Sequence, residues 1–192
     1  VVLIVDSLTR YAIAWREIAL SMGEPPVTRG YPPSVFARLS TLVEQAGNGE
    51  NESGSMTALY SVLLDSEDSV DPIADAARGV LDGHLFLSRA LANSGHYPAI
   101  DIEKSVSRVM PKVVTAEHFE LAVTVRRIIS KYFQSRDLLS MGAYVQGADR
   151  ELDTAIRLWP SIEKYLRQGL TEKNTMSESV KNLRDIVGFD VR

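Results

Sequence analysis

The chain contains no cysteine. It therefore has no disulfide, no thiolate metal ligand and no thiol nucleophile, a composition that fits the cytoplasm. Histidine is scarce: His84, His96 and His118 lie far apart, and no two are spaced as zinc ligands on one helix face. A Gly-x-Ser-x-Gly nucleophile elbow is missing. So is the Gly-x-x-x-x-Gly-Lys-Ser/Thr loop that cradles phosphates. There is no basic excess, with 21 Lys and Arg against 25 Asp and Glu and a net charge of −4, so the charge balance does not call for nucleic acid. No apolar run approaches the ~20 residues that a membrane span needs. Internal repeats and low-complexity tracts are absent as well.

What remains is the composition of a globular protein: 192 residues, 45% hydrophobic and 24% charged. That length suits one large domain or two small ones and buries roughly 70% of the unfolded surface. The chain opens at Val1 in mid-strand, with no charged n-region and no cleavage pattern. It reads as a piece of a longer protein whose missing part lies N-terminal.

Val1-Val2-Leu3-Ile4-Val5 runs without a polar break and stops at Asp6. The pattern predicts a strand buried on both faces, with a carboxylate at its carboxyl end, where open α/β sheets place ligands. In a nucleotide-binding fold such an aspartate is the Walker B residue that holds Mg²⁺. The alternative is a cap for the helix that follows. That helix runs through Leu8, Tyr11, Ala12, Trp15, Ile18, Ala19 and Met22, and Gly23 ends it.

Residues 24–33 carry four prolines and a glycine and predict a stiff, shaped loop. A second helix is expected from Pro33 to Ala46, then a flexible glycine-rich stretch over 47–54, a strand over Ser55–Leu64 and an acidic loop over Asp65–Asp71. The loop reads most simply as a solvated turn. A short helix over Ile73–Val80 and a strand over His84–Ser88 follow. A turn then leads through Tyr97-Pro98, and Ile102–Pro111 reads as irregular. From Thr115 onward the spacing is helical, with helices expected from Thr115 through Tyr132 and over Arg136–Met141, Arg150–Leu158, Ser161–Gln168 and Ser177–Ile186. The texture thus changes near residue 113.

Arg108 stands on a short stretch of small residues, Ser105-Val106-Ser107-Arg108. A guanidinium held there suits phosphate or carboxylate recognition, or an ion pair with Asp101 or Glu103. Tyr97 before proline can stack on a base or pack in a corner.

The order of several short stretches is distinctive: Asp6-Ser7-Leu8-Thr9-Arg10, Gly23-Glu24-Pro25-Pro26, Gly30-Tyr31-Pro32-Pro33-Ser34, Gly54-Ser55-Met56-Thr57, Asp71-Pro72-Ile73-Ala74-Asp75, Gly95-His96-Tyr97-Pro98-Ala99-Ile100-Asp101 and Ser107-Arg108-Val109-Met110. Together they resemble the C-terminal half of the flagellar and type III secretion export ATPases, relatives of the F1 ATP synthase catalytic β subunit. Glu151-Leu152-Asp153-Thr154-Ala155-Ile156 is more similar to the flagellar branch.

The resemblance implies an α/β fold. Residues 1–113 would be the C-terminal portion of a RecA-like P-loop NTPase core, with a mostly parallel sheet running on from the Walker B strand. Residues 114–192 would be an all-α C-terminal domain. It implies ATP and Mg²⁺, with Asp6 at the metal, Arg10 on the phosphate side and Arg108 as an arginine finger reaching a neighbouring subunit. Tyr97 would pack on the adenine, with Leu170, which stands where F1 has a phenylalanine, and Met176, which falls near a second one, completing an apolar wall. Glu24, Pro25, Pro26, Val27, Thr28 and Arg29 would form a sleeve around a central stalk, and Asp68 and Asp71 the loop that catches it.

The implied assembly is a homohexamer that releases or unfolds cargo. Its partners would be a coiled-coil stalk protein, an ATPase regulator, export chaperone–cargo complexes and the export gate. It would be cytoplasmic and at most peripheral to the inner-membrane export apparatus, with no nucleic acid. The phosphate loop and catalytic glutamate lie upstream in this family, so the piece alone is expected not to hydrolyse ATP. The other readings are a rotary synthase subunit, a Rho-type translocase and a non-catalytic chaperone- or cargo-binding module.

Overall fold

The structure is a computed structural model and describes residues 1–49, 54–64 and 71–188. By contacts the chain divides into two compact units, Val1–Asp82 and Gly83–Arg192. The change of texture near residue 113 falls inside the second.

In the first unit, strand β1 (Val2–Val5) leads to helix α1 (Leu8–Ser21) and helix α2 (Pro33–Glu44). Strands β2 (Gly47–Asn48) and β3 (Ser55–Tyr60) and helix α3 (Pro72–Val80) follow. The sheet order is β1-β3-β2, with β1 parallel to β3 and β2 antiparallel to it. A parallel neighbour needs a long crossover, and α1 and α2 supply it. Leu8, Val35, Leu39 and Ile73 are fully buried and form the centre of the core.

The expected burial of β1 on both faces is not what the unit shows. Val2 and Ile4 are 66% and 72% exposed, and Leu59 on β3 is 57% exposed. Parallel register pairs Ile4 with Leu59 and Val2 with Thr57, so these residues share one open face. Two other expectations shift. β3 ends at Tyr60 rather than Leu64, and Gly47–Asn48, placed in the flexible stretch, pairs with β3.

The second unit starts with an antiparallel pair, β4 (Gly83–Leu87) and β5 (Ile100–Ser107), with the short helix α4 (Arg89–Asn93) between them. Residues 102–107 are therefore strand and not irregular. Periodicity hid this because the register slips between His84 and Phe86. Gly83 is required there, since a Cβ would lie 2.5 Å from the Val106 carbonyl oxygen.

Helices α5 (Met110–Val113), α6 (Ala116–Gln134), α7 (Arg136–Ser140), α8 (Arg150–Leu166) and α9 (Met176–Gly188) complete the unit. Thr115, where the sequence leads one to expect the helix to start, caps α6 by accepting from His118 N–H. The two helices expected over 150–168 are one helix running through Pro160. Buried Leu152, Ala155, Leu158 and Ile162 keep a continuous apolar stripe across the proline, and packing outweighs the missing donor. The stripe meets Val125, Ile128 and Ile129 of α6 and Leu183 and Val187 of α9.

Candidate functional site

Asp6 follows β1 directly. The cap of α1 is Ser7, whose Oγ accepts from Arg10 N–H at 3.3 Å, so the reading of Asp6 as the helix cap falls away. The Asp6 carboxylate instead faces the end of β3. Ser61 Oγ donates to Asp6 Oδ1 at 2.6 Å. Backbone bonds hold the two chain ends together: Ser61 N–H donates to Val5 O at 3.0 Å, and Leu8 N–H to Ser61 O at 2.9 Å. Leu63 N–H adds a bond to Thr9 Oγ1 at 3.0 Å. Arg10 lies in the first turn of α1, exposed like Asp6.

No group of three or more His, Asp or Glu among the described residues could enclose a metal ion. One exposed carboxylate still fits Mg²⁺, which commonly takes one or two carboxylates and fills its octahedron with water and substrate phosphates.

The other candidates for the nucleotide site lie in the second unit. Arg108 is exposed and directly follows β5, in the turn to α5. Of the two carboxylates offered as its ion-pair partners, Asp101 is engaged locally. Its Oδ1 accepts from Glu103 N–H and Lys104 N–H, and its Oδ2 lies 3.8 Å from Lys104 Nζ.

Tyr97 is 56% exposed. Its carbonyl accepts from Gln168 N–H at 2.8 Å, which joins the Tyr97 turn to the segment after α8. That segment is knotted by Glu172, whose carboxylate accepts from Gly169 N–H and Asn174 Nδ2. These bonds hold the Glu172 carboxyl below its usual range. Leu170 and Met176, expected with Tyr97 around a base, are both strongly exposed. Beside them a cleft of about 710 Å³ is lined by Pro98, Ile100, Tyr165, Arg167 and Gln168.

The proline loop is a built element. Glu24 accepts from both the N–H and the hydroxyl of Ser34, which satisfies an open donor at the start of α2 and lowers the carboxyl's pKa. Val27 N–H donates to Tyr31 O, and Tyr31 N–H to Thr28 O, closing a tight turn. Arg29 and Gly30 at its tip have φ of 47° and 82°. Pro25, Pro26, Val27, Thr28 and Arg29 are exposed. Asp71 caps α3 through Ile73 N–H and Ala74 N–H. Asp68 and the rest of the acidic loop, 65–70, lie outside the described residues, as do 50–53 of the glycine-rich stretch.

Sequence reasoning missed Ser61. Its signal exists only in the register, because pairing Val5 with Tyr60 sets residue 61 beside residue 6.

Comparison with known proteins adds the following. Residues 1–107 match the ATP synthase alpha/beta family, nucleotide-binding domain, and residues 114–185 match the T3SS EscN ATPase C-terminal domain. The flagellum-specific ATP synthase of Pseudomonas aeruginosa is 60% identical over 187 residues, which cover 97% of this chain and 42% of that protein. The assembled ATPase EscN from the enteropathogenic E. coli type III secretion system superposes with a TM-score of 0.91 at 42% identity, over 96% of this chain and 44% of that one. EscN in complex with its central stalk EscO superposes with a TM-score of 0.85 at 41% identity, again over 96% and 44%. The chain thus spans less than half the length of each of these relatives.

Proposed function

The chain belongs to the ATP synthase alpha/beta family, and from that premise we propose that it is the C-terminal part of a flagellar protein-export ATPase. The 60% identity to a flagellum-specific enzyme, against 42% to EscN, favours the flagellar branch. The complete protein hydrolyses ATP at sites between the subunits of a homohexamer and uses the energy to release or unfold chaperone-bound cargo. The helical domain, 114–192, follows the nucleotide-binding portion, 1–113. The piece itself lacks the phosphate loop and does not turn over.

Asp6, held by Ser61 at the end of β1, carries this reading. Asp6 would hold Mg²⁺, which when bound offsets charge on the β- and γ-phosphates. Arg10 lies one helical turn from Asp6 and adds positive charge on the same side. Arg108 reaches the adjoining subunit's phosphates, a contribution worth roughly 10³–10⁵ in rate for such arginines. Tyr97, Leu170 and Met176 make an apolar wall for the adenine. The exposed tip at Val27–Arg29 meets a coiled-coil stalk; EscN in complex with its central stalk EscO is the precedent for such a partner. Asp71, which caps α3, is the described end of the loop that would catch the stalk. A regulator, export chaperones with their cargo and the export gate are the remaining partners. No helix among the described residues is long and apolar enough to cross a membrane. The assembly sits on the cytoplasmic side of the inner membrane as a peripheral component.

The test is ATP hydrolysis by the complete protein with Arg108→Ala. Turnover is expected to fall by roughly 10³ or more while the ring still assembles. Near-normal turnover would return Arg108 to a structural ion pair.

A further inference from the structure

The β4–β5 pair contains an unusual slip. Phe86 faces Asp101, but His84, two residues earlier, faces Val106, five residues later. Residues 102–105 therefore bulge out of the ladder opposite a single residue, Leu85. A bulge re-aims the strand that carries it, and it leaves backbone groups to be satisfied some other way.

Here side chains satisfy them. Ser105 is buried, and its hydroxyl accepts from Phe86 N–H at 2.9 Å while donating to Asp101 O. Asp101 Oδ1 accepts from Glu103 N–H and Lys104 N–H at 3.0 and 3.1 Å. His84 Nε2 lies 2.9 Å from Lys104 O. The last bond comes from a different element: Arg126 Nη2 on α6 donates to Ser105 O at 2.9 Å. Of these partners, Arg126 alone lies outside the strand pair. Its bond falls three residues before Arg108, where the bulge ends and the strand takes its final direction.

We infer that Arg126 is a positioning residue for Arg108: by tying the end of the bulge to α6, it sets the direction in which β5 delivers Arg108. The inference rests on the reading of Arg108 as the arginine finger. The bond is charge-assisted and aimed at a carbonyl, so it fixes backbone geometry. α6 is itself anchored by buried Val125 and Ile129 on either side of Arg126, which makes it a firm reference for the strand. An ångström of misplacement at a reacting centre can cost about a hundredfold in rate. Loss of the tie therefore acts on turnover more than on nucleotide affinity.

The experiment is steady-state hydrolysis by the complete assembled protein, with kcat and KM for ATP measured separately. Arg126→Ala is expected to lower kcat by about tenfold to a hundredfold and to leave KM within about twofold. Arg126→Lys, with one donor still able to reach the carbonyl, recovers part of the loss. Arg127→Ala, the exposed neighbour, changes neither constant. In an Arg108→Ala background, adding Arg126→Ala causes no further loss, because the two act as a unit.

Wild-type kcat in Arg126→Ala overturns the inference, and so does an equal loss with and without Arg108. If Arg108→Ala is itself near wild type, the finger reading fails. If Arg108→Ala is severely impaired and Arg126→Ala is not, the positioning role alone fails. Should Arg126→Ala not assemble, Arg126→Lys and Arg126→Gln rings are read by the same criteria.

Discussion

Ser61 Oγ donates to Asp6 Oδ1 at 2.6 Å, from the residue after β3 to the residue after β1. The two strands are parallel and in register up to Val5 and Tyr60, so their first residues beyond the ladder emerge side by side. The bond selects one orientation of an exposed carboxylate. Ser61→Ala frees that carboxylate and removes a hydrogen bond to a charged group. In the complete protein, the Mg²⁺ concentration giving half-maximal hydrolysis should rise roughly three- to tenfold. Ser61→Thr, which keeps the hydroxyl, should stay near wild type. An unchanged Mg²⁺ titration for Ser61→Ala would separate Asp6 from the metal.

The proposed base-binding wall offers a gain-of-function test. Leu170 is fully exposed, and the resemblance to F1 implies an aromatic ring at its position. Offset or edge-on aromatic contacts add about 0.5–1.5 kcal/mol beyond area burial. Leu170→Phe should therefore lower KM for ATP by roughly two- to tenfold. It should also sharpen the preference for ATP over GTP. Initial rates with both nucleotides check it. Equal constants for the variant and wild type would remove Leu170 from the base site.

The parts legible in the sequence were those governed by local chemistry. The helix start at Thr115, the shaped loop over 24–33 and the change to helical spacing all follow from residues close together in the chain. The parts missed were set by register or by distant packing. The bulge over 102–105 has no periodic signature, because its polar groups are satisfied from Asp101, His84 and Arg126 rather than by a ladder. The sequence divides 150–168 into two helices on either side of Pro160, yet the stripe through Ala155, Leu158 and Ile162 carries one helix past it. For the same reason Asp6 was visible as a candidate and Ser61 was not.

Pro160 is exposed and lies inside α8. It cannot donate to the Ile156 carbonyl, and its ring crowds that carbonyl. Trp159 beside it stacks on Tyr132, with ring centres 4.4 Å apart and planes 9° from parallel, and this fixes the helix locally. Pro160→Ala should restore the donor without touching the core. A stabilisation of about 1–3 kcal/mol is expected, seen as a rise of several degrees in the melting transition of the protein. A lower transition would mean that the proline supplies a bend that packing against α6 requires.

His96 is 6% exposed and precedes Tyr97. Burial lowers its pKa below 6.5, the Arg167 cation lowers it further, and Glu163 opposes them. The folded chain therefore keeps His96 neutral at a pH where the unfolded chain protonates it. Above about pH 6.5 the imidazole is neutral in both states and costs nothing. As pH falls through 6.5, the unfolded state gains a proton that the folded state refuses, so stability declines. The decline stops once pH passes below the folded-state pKa. His96→Gln should flatten this portion of the curve of melting temperature against pH as pH falls through about 6.5. Arg167→Gln should narrow it, since one of the groups lowering the pKa is gone, and Glu163→Gln should widen it. A wild-type profile that is flat over this range, or a slope that survives His96→Gln, would place the titrating group elsewhere.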